Sequence, residues 1–340
     1  MKHNKFDLLS LGEILLRLSP PGNERLSRSD VFDKHIGGAE LNVVSGVSML
    51  GLKTGMISKL PDNLLGSYAG NQVHFYGVGD DYLSLDREKN ARLGIYYYES
   101  GAHPRKPQVV YDRMHSSIQS ISIKDFPEEM YHSTRCFHTT GITLALGGQC
   151  RETAIEMIKR FKEAGALISF DVNFRGNLWT GAEAKECIES ILPYTDIFFC
   201  SADTARLTFQ KEGSTREMMQ SFAKDYPISV IASTKRTVHS PKKHSFTSVI
   251  YDVGSKTFYE EEPYENIEVV DRIGSGDAYI AGALYGYLAY GDCRKALEYG
   301  NAASAMKNTI PGDMPCSDLK ELTKTIEEHR QTGELPEMSR

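Results

Sequence analysis

Short apolar runs alternate with amphipathic helical stretches along most of this 340-residue chain, and that rhythm leaves few folds open. Phe6–Leu11 reads as a strand, 39–50 as a helix with Val43, Val47 and Leu50 on one face, 53–60 as a strand and 63–76 as a helix. A strand over 135–140, a helix over 151–164 and a strand over Leu167–Asp171 resume the pattern. Segments 182–192, 196–200, 216–226 and 228–233 follow as helix, strand, helix and strand, and helices over 277–290, 294–307 and 317–330 close the chain. Repeated strand–helix units predict an α/β fold, a doubly wound and mostly parallel sheet with helices on both faces. Two places break the rhythm. Leu15–Ser19 is a β excursion inside the first crossover, and Gly94–Glu99 and 107–113 are β-like runs around the turn residues 101–107. A small β-sheet lid built from about 13–36 and 92–123 accounts for both, carried by a single domain over 1–340, with a frayed tail over 333–340.

Several function classes are disfavoured by composition. A formal charge of −6 provides no overall basic footprint, so nucleic acid is not the expected partner. Lys235, Arg236, Lys242 and Lys243 form only a local basic cluster, either a solvated loop or one facing phosphate. The first seven residues lack the apolar core of a signal peptide, and no apolar run is long enough to span a membrane. The six cysteines are scattered without a Cys-x-x-Cys pair. They read as reduced thiols of a cytoplasmic protein, not as a disulfide frame or a metal site.

Chemistry concentrates in a few segments. In Asp271-Arg272-Ile273-Gly274-Ser275-Gly276-Asp277, two glycines one residue apart allow a tight turn that points amides at one spot, just before a buried apolar helix. A helix N-terminus there binds anions. Asp277 on its first turn is either a cap for free amides or a base beside an anion hole. Neither Gly-x-x-x-x-Gly-Lys-Ser/Thr nor a complete Gly-x-Gly-x-x-Gly occurs, since Tyr279 replaces the third glycine. Asp171, Asn173 and Arg175 alternate at the carboxyl end of a parallel strand, where open α/β sheets place ligands, although a solvated strand end has the same pattern. Gly37 and Gly38 open a helix that carries Asn42 one turn in, either a close approach to a ligand or a tight strand–helix turn. Tyr96, Tyr97 and Tyr98 alternate faces, and Tyr111 shares a face with Arg113. Such side chains grip hydroxylated, charged substrates, though tyrosines also favour strands as such.

Taken in order along nearly the whole chain, these segments resemble the ribokinase-like (PfkB) family of sugar kinases. The resemblance rests on Leu11-Gly12-Glu13, Gly37-Gly38-Ala39 with Asn42, the β-lid, and Gly274-Ser275-Gly276-Asp277. Within the family it is nearest to the 2-keto-3-deoxygluconate kinases, through Asp171-x-Asn173-x-Arg175 with Leu178-Trp179, Tyr111-x-Arg113, and Thr309-x-x-Gly312-Asp313. The resemblance implies ATP with its Mg²⁺ as cosubstrate, Asp277 as catalytic base, and Gly274, Ser275 and Gly276 as anion hole. It implies a sugar-acid site of Gly37, Gly38, Asn42, Tyr96, Tyr111, Arg113, Arg175 and Asp313, with the two arginines at the carboxylate and keto end. Asn173, Ser233, Thr234, Arg236, Gly274, Gly276 and Asn301 would meet the nucleotide, with Ser233-Thr234-Lys235-Arg236 as phosphate loop. Many relatives carry Asn-x-x-Glu near the metal water. Here the segment is Ser201-Ala202-Asp203-Thr204, with Asp203 the candidate substitute. The expected reaction is phosphorylation of O6 of 2-keto-3-deoxygluconate. The alternatives are another sugar kinase of this fold, for a ketose, ribose or a deoxy-inositol-derived acid, and a weakly catalytic sugar-acid sensor. An exposed lid edge invites pairing into a homodimer.

Overall fold

The structure, a computed structural model, describes residues 4–331, so the tail expected to fray lies outside the described residues. The chain opens with β1 (Phe6–Leu11), β2 (Leu15–Ser19), β3 (Asp33–Gly37), α1 (Ala39–Met49), β4 (Thr54–Pro61), α2 (Leu64–Phe75) and β5 (Gly79–Asp86). It continues through β6 (Gly94–Glu99), β7 (Gln108–Asp112), β8 (Thr134–Thr140), α3 (Gly141–Ala145), α4 (Gly148–Glu163), β9 (Leu167–Asp171), α5 (Gly181–Ile191) and β10 (Ile197–Phe199). Then come α6 (Ala202–Leu207), α7 (Thr215–Asp225), β11 (Val230–Ser240), β12 (Lys243–Asp252), β13 (Thr257–Glu260) and β14 (Tyr264–Glu268). Helices α8 (Ser275–Tyr290), α9 (Cys293–Asn308) and α10 (Leu319–Arg330) end the fold.

The main sheet has the order β13-β12-β11-β10-β9-β8-β1-β4-β5, with β14 also paired to β12. From β11 to β5 every pairing is parallel, while β12, β13 and β14 add an antiparallel extension. Both faces are covered. Met157, Ile188 and Phe222 bring α4, α5 and α7 onto one face, and Val47, Val73, Leu284 and Leu297 bring α1, α2, α8 and α9 onto the other. Among the described residues no helix is long and apolar enough to cross a membrane. From β1 the chain winds outward through β4 and β5, then returns to the other side of β1 and winds through β8 to β11. The winding therefore reverses at β1, and the carboxyl ends of β1, β8 and β9 border a crevice there.

The lid is a separate four-stranded sheet of order β3-β2-β6-β7. Its parallel β2–β6 pair joins the two interruptions read from the sequence. Strands β3, β5 and β12 to β14 were not expected, and β11 runs past its expected end at Ser233 to Ser240. β3, β5, β13 and β14 are short or carry many exposed polar residues, and β12, though mostly buried, mixes polar with apolar residues, so apolar alternation is weak in all of them.

Within the lid, β2 is largely buried whereas every residue of β7 is exposed. Local opening draws on segments with few buried contacts. In native-state hydrogen exchange the β7 amides should exchange orders of magnitude faster than those of β2. Equal protection of the two strands would show a lid that is rigid throughout.

Candidate active site

Helix α8 begins at the crevice. Gly274 caps it with φ 80°, a left-handed conformation, and a Cβ there would overlap the carbonyl of Asp313, so this position holds only glycine without displacement. Ser275 N donates to Arg272 O at 3.3 Å, and the first helical bond runs from Ala278 N to Gly274 O at 2.8 Å. The amides of Gly276 and Asp277 have no acceptor among the described residues, and Gly276 is exposed with open space where a side chain would stand. Two free amides at the positive end of a long buried helix are donors suited to an anion, the candidate anion hole of this site.

Beside it stands the half-buried Asp277, whose Oδ2 accepts a hydrogen bond from Asn42 Nδ2 at 2.6 Å. Burial, with the nearby Glu40 and Asp313 charges, pushes its carboxyl up to about 6, against the downward pull of Asn42 and Arg175. Asp171, at the end of β9, is pushed up to about 7 by burial and then by the Asp277 charge. Glu40 is buried on α1. Its Oε1 accepts from Thr140 N at 3.1 Å, Thr140 Oγ1 at 2.7 Å and Thr143 Oγ1 at 2.6 Å, and burial outweighs these bonds in raising its pKa. Asn42 is buried as well, and its Oδ1 has no partner. Gly38 makes this crowding possible: its φ is 140°, and a Cβ would overlap the carbonyl of Glu13.

A cavity of about 220 Å³ adjoins the anion hole, lined by Asp171, Asn173, Arg175, Ser201, Thr234 and Gly276 among others. Arg175 is exposed, with only Phe174 O at 3.4 Å as protein acceptor. Further out, a cleft of about 1480 Å³ runs between the lid hairpin and β11, past Lys106, Arg236, Lys242, Lys243 and Arg272. Burial and the neighbouring Arg272 charge push Arg236 down, and among the described residues neither arginine has a carboxylate partner. Arg272 was not anticipated in this role, although its position beside Asp271 in the glycine segment could have raised it.

Other expected residues are engaged with the protein. Arg113 is buried and ion-paired with Glu13, donating through both Nε and NH2 to Oε2, while Ser116 Oγ donates to Glu13 Oε1 at 2.5 Å. Tyr96 donates its hydroxyl to Asp313, and its ring lies 5.7 Å from that of the more exposed Tyr111. Asp313 also accepts from Arg17 NH1 at 2.8 Å, and the Gly37 Cα lies close against its carboxylate. Asn301 is completely buried, accepting from Ser248 Oγ at 2.7 Å and donating to Glu261 Oε1 at 2.7 Å, so its amide faces β12 and not an open cleft. Ser233 to Arg236 form a continuous strand paired with β12 and not a loop, because no glycine breaks the pairing; Thr234 and Arg236 share one face of it. Ser201 and Thr204 line the cavity, whereas the Asp203 side chain is 89% exposed and pairs outward with Arg206 at 3.5 Å. Asp203 therefore does not stand in for the glutamate of Asn-x-x-Glu. Among the described residues no three His, Cys, Asp or Glu side chains converge as a metal cage.

Residues 5–319 match the pfkB family of carbohydrate kinases. A 2-dehydro-3-deoxygalactonokinase of Haloferax volcanii is 31% identical over 320 residues, covering 94% of this chain and 96% of that protein. A 2-dehydro-3-deoxygluconokinase of Bacillus subtilis is 26% identical over 312 residues, covering 91% and 92%. The crystal structure of 2-dehydro-3-deoxygluconokinase from Thermotoga maritima superposes with a TM-score of 0.89 at 32% identity, over 95% of this chain and 99% of that one.

The raised carboxyl of Asp171 carries a stability consequence. Its folded pKa of about 7 lies above the ordinary 3.8, so the folded state holds a proton that the unfolded chain releases. That contribution is present in full below the unfolded value and is lost as pH rises through the folded one. Asp171→Asn should therefore melt higher than the wild type at pH 8 without ligand, the difference shrinking steadily as pH falls from about 7 toward 3.8. Melting curves across this range check it, and a difference that does not vary with pH would contradict it.

Proposed function

This chain belongs to the pfkB family of carbohydrate kinases, and we propose that it transfers the γ-phosphoryl group of ATP to O6 of 2-keto-3-deoxygluconate. The observation that carries this reading is Asp277, a carboxylate held basic by its surroundings and placed beside two free helix amides. As the acceptor O6 attacks phosphorus, its proton passes to Asp277. The O6–P bond forms, the bond from phosphorus to the bridging oxygen breaks, and ADP leaves. The amides of Gly276 and Asp277 stabilise charge on the transferring group, which is where an enzyme of phosphoryl transfer can contribute most. Asn42 acts on the base itself, donating from Nδ2 to Asp277 Oδ2 and so fixing the direction of the carboxylate. Arg175, with no carboxylate partner among the described residues, is the open cation for the acid's carboxylate.

Kinases of this family use ATP. The basic cleft along β11 suits the triphosphate, since Arg236 and Arg272 repel one another until an anion lies between them. Mg²⁺ fits this site as an ion brought with the nucleotide, because the cavity offers the single carboxylate of Asp171 with the Ser201 and Thr204 hydroxyls, and among the described residues no cage of three ligands. The exposed edge strand β7 suits pairing between two subunits. A second acceptor, the C4 epimer 2-keto-3-deoxygalactonate, is favoured by the 31% identity with the Haloferax volcanii kinase.

A coupled ADP-release assay over both epimers, 5-keto-2-deoxygluconate, fructose and ribose tests the acceptor. Both 2-keto-3-deoxy acids should exceed the neutral sugars in kcat/KM by at least about 100-fold, the order of a charge-assisted contact made or lost; equal turnover of fructose would refute an acid substrate. Asp277→Asn should lower kcat by roughly two to four orders of magnitude with ATP binding retained. In the wild type, kcat/KM should fall on the acid side as Asp277 is protonated, with a midpoint near 6. Near-normal turnover in the folded variant would remove Asp277 as the base.

A further inference from the structure

Beneath the anion-hole loop, two buried cations meet two buried carboxylates that the transfer chemistry does not use directly. Arg17, on lid strand β2, is 3% exposed. Its NH1 donates to Asp313 Oδ1 at 2.8 Å, its NH2 pairs with Asp271 Oδ2 at 2.7 Å, and its Nε donates to Ser19 Oγ at 2.8 Å. The guanidinium lies over the Tyr98 ring, 4.5 Å from its centroid, and Arg17 stands across the β2–β6 pair from Tyr96, which also donates to Asp313.

Asp271 carries this contact into the loop that ends in the free amides. Its Oδ1 accepts from Ile273 N at 3.0 Å, and its Oδ2 from Gly312 N at 3.1 Å. Lys307 closes the far side, donating from Nζ to Asp271 O at 3.3 Å and to Ile310 O at 3.0 Å. Gly274 rests directly on the Asp313 carbonyl. The segments before and behind the anion hole are thus braced through Asp271 and Asp313, and one lid side chain grips both. Lys307 on α9 is the second cation beside these two carboxylates, although burial pushes its pKa down, so the charge balance needs Arg17 as well. What Arg17 adds is a planar fork that spans two loops, a geometry that a lysine cannot reproduce.

We propose that Arg17 is a positioning residue that couples seating of the lid on the acceptor to alignment of the anion hole for the nucleotide. Binding of one substrate then tightens binding of the other, and Arg17 carries that coupling free energy. This rests on the kinase reading above, but not on the identity of the acid, because the acceptor used in the test is whichever sugar acid the substrate panel shows to be turned over.

The test is a calorimetric cycle with Mg-ADP and that acceptor, each bound alone and in the presence of the other, in wild type and Arg17→Lys. In the wild type each ligand should tighten the other by roughly fivefold or more. In Arg17→Lys the separate affinities should stay within about threefold while the coupling factor falls toward one, and kcat should fall more than either KM rises. A merely structural role predicts the opposite pattern, a lower melting temperature with both separate affinities weakened together and the coupling intact. Coupling that is absent in the wild type, or preserved in the folded variant, overturns the proposal. Hydrogen exchange adds a measurement that needs no variant. Acceptor alone should slow the amides of Ile273 and Gly312, which donate to Asp271 and lie behind the anion hole; unchanged exchange there overturns it as well.

Discussion

Negative charge crowded where water cannot screen it is the constraint around which this site is arranged. Glu40, Asp171 and Asp277 come from three different segments and converge at the crevice, and burial raises the pKa of each. Left alone, such a cluster would protonate and lose its basicity. The counterweights are specific: Asn42 and Arg175 pull Asp277 down, and three donors converge on one oxygen of Glu40. The balance leaves Asp277 with a pKa of about 6, low enough to be ionised at neutral pH and high enough to suit a base for a nearby hydroxyl. The base is held by Asn42, so the free amides of α8 are not spent on it.

Close approach of backbone segments makes this density possible. Gly38 lets α1 start against Glu13, and Gly274 lets α8 start against Asp313. The Asn42–Asp277 bond then ties the two helices together at their amino ends. These contacts sit where the sheet reverses its winding, so the strand ends beside them diverge and leave room for a ligand. The lid is rooted in the same region by two buried ion-pair systems, Glu13 with Arg113 and Arg17 with Asp271 and Asp313. Its root is therefore fixed, and freedom is left to β7 and the hairpin beyond.

The alternation of apolar runs made the parallel part of the sheet legible, because buried parallel strands must be apolar throughout and helices must bear a stripe. The antiparallel extension was not legible, since β12 and β14 mix Lys243, Ser245 and Glu268 with buried partners such as Phe246 and Ile267. At the site, glycine pairs flagged the turns before α1 and α8, and the positions of Asp277 and Asn42 followed from them. Pairing was hidden. Nothing in the spacing of Glu13 and Arg113, one hundred residues apart, shows that they neutralise one another. Asn301 likewise reads as a polar helix residue available to a ligand, whereas Ser248 and Glu261 occupy its amide in the fold.

That pairing shifts the weight of acid recognition. Two arginines stood out as cations for a carboxylate, but they are not equivalent. Arg113 spends Nε and NH2 on Glu13, and its burial makes the pair costly to break, so it presents a fixed edge at the floor of the lid. Arg175 is exposed, with one long hydrogen bond to Phe174 O at 3.4 Å. The charge of Arg113 is thus already answered by Glu13, whereas that of Arg175 is open to an anion. Arg175 also lowers the pKa of Asp277. Drawing its charge onto a substrate carboxylate would weaken that pull and make Asp277 a stronger base at the moment an acceptor is bound.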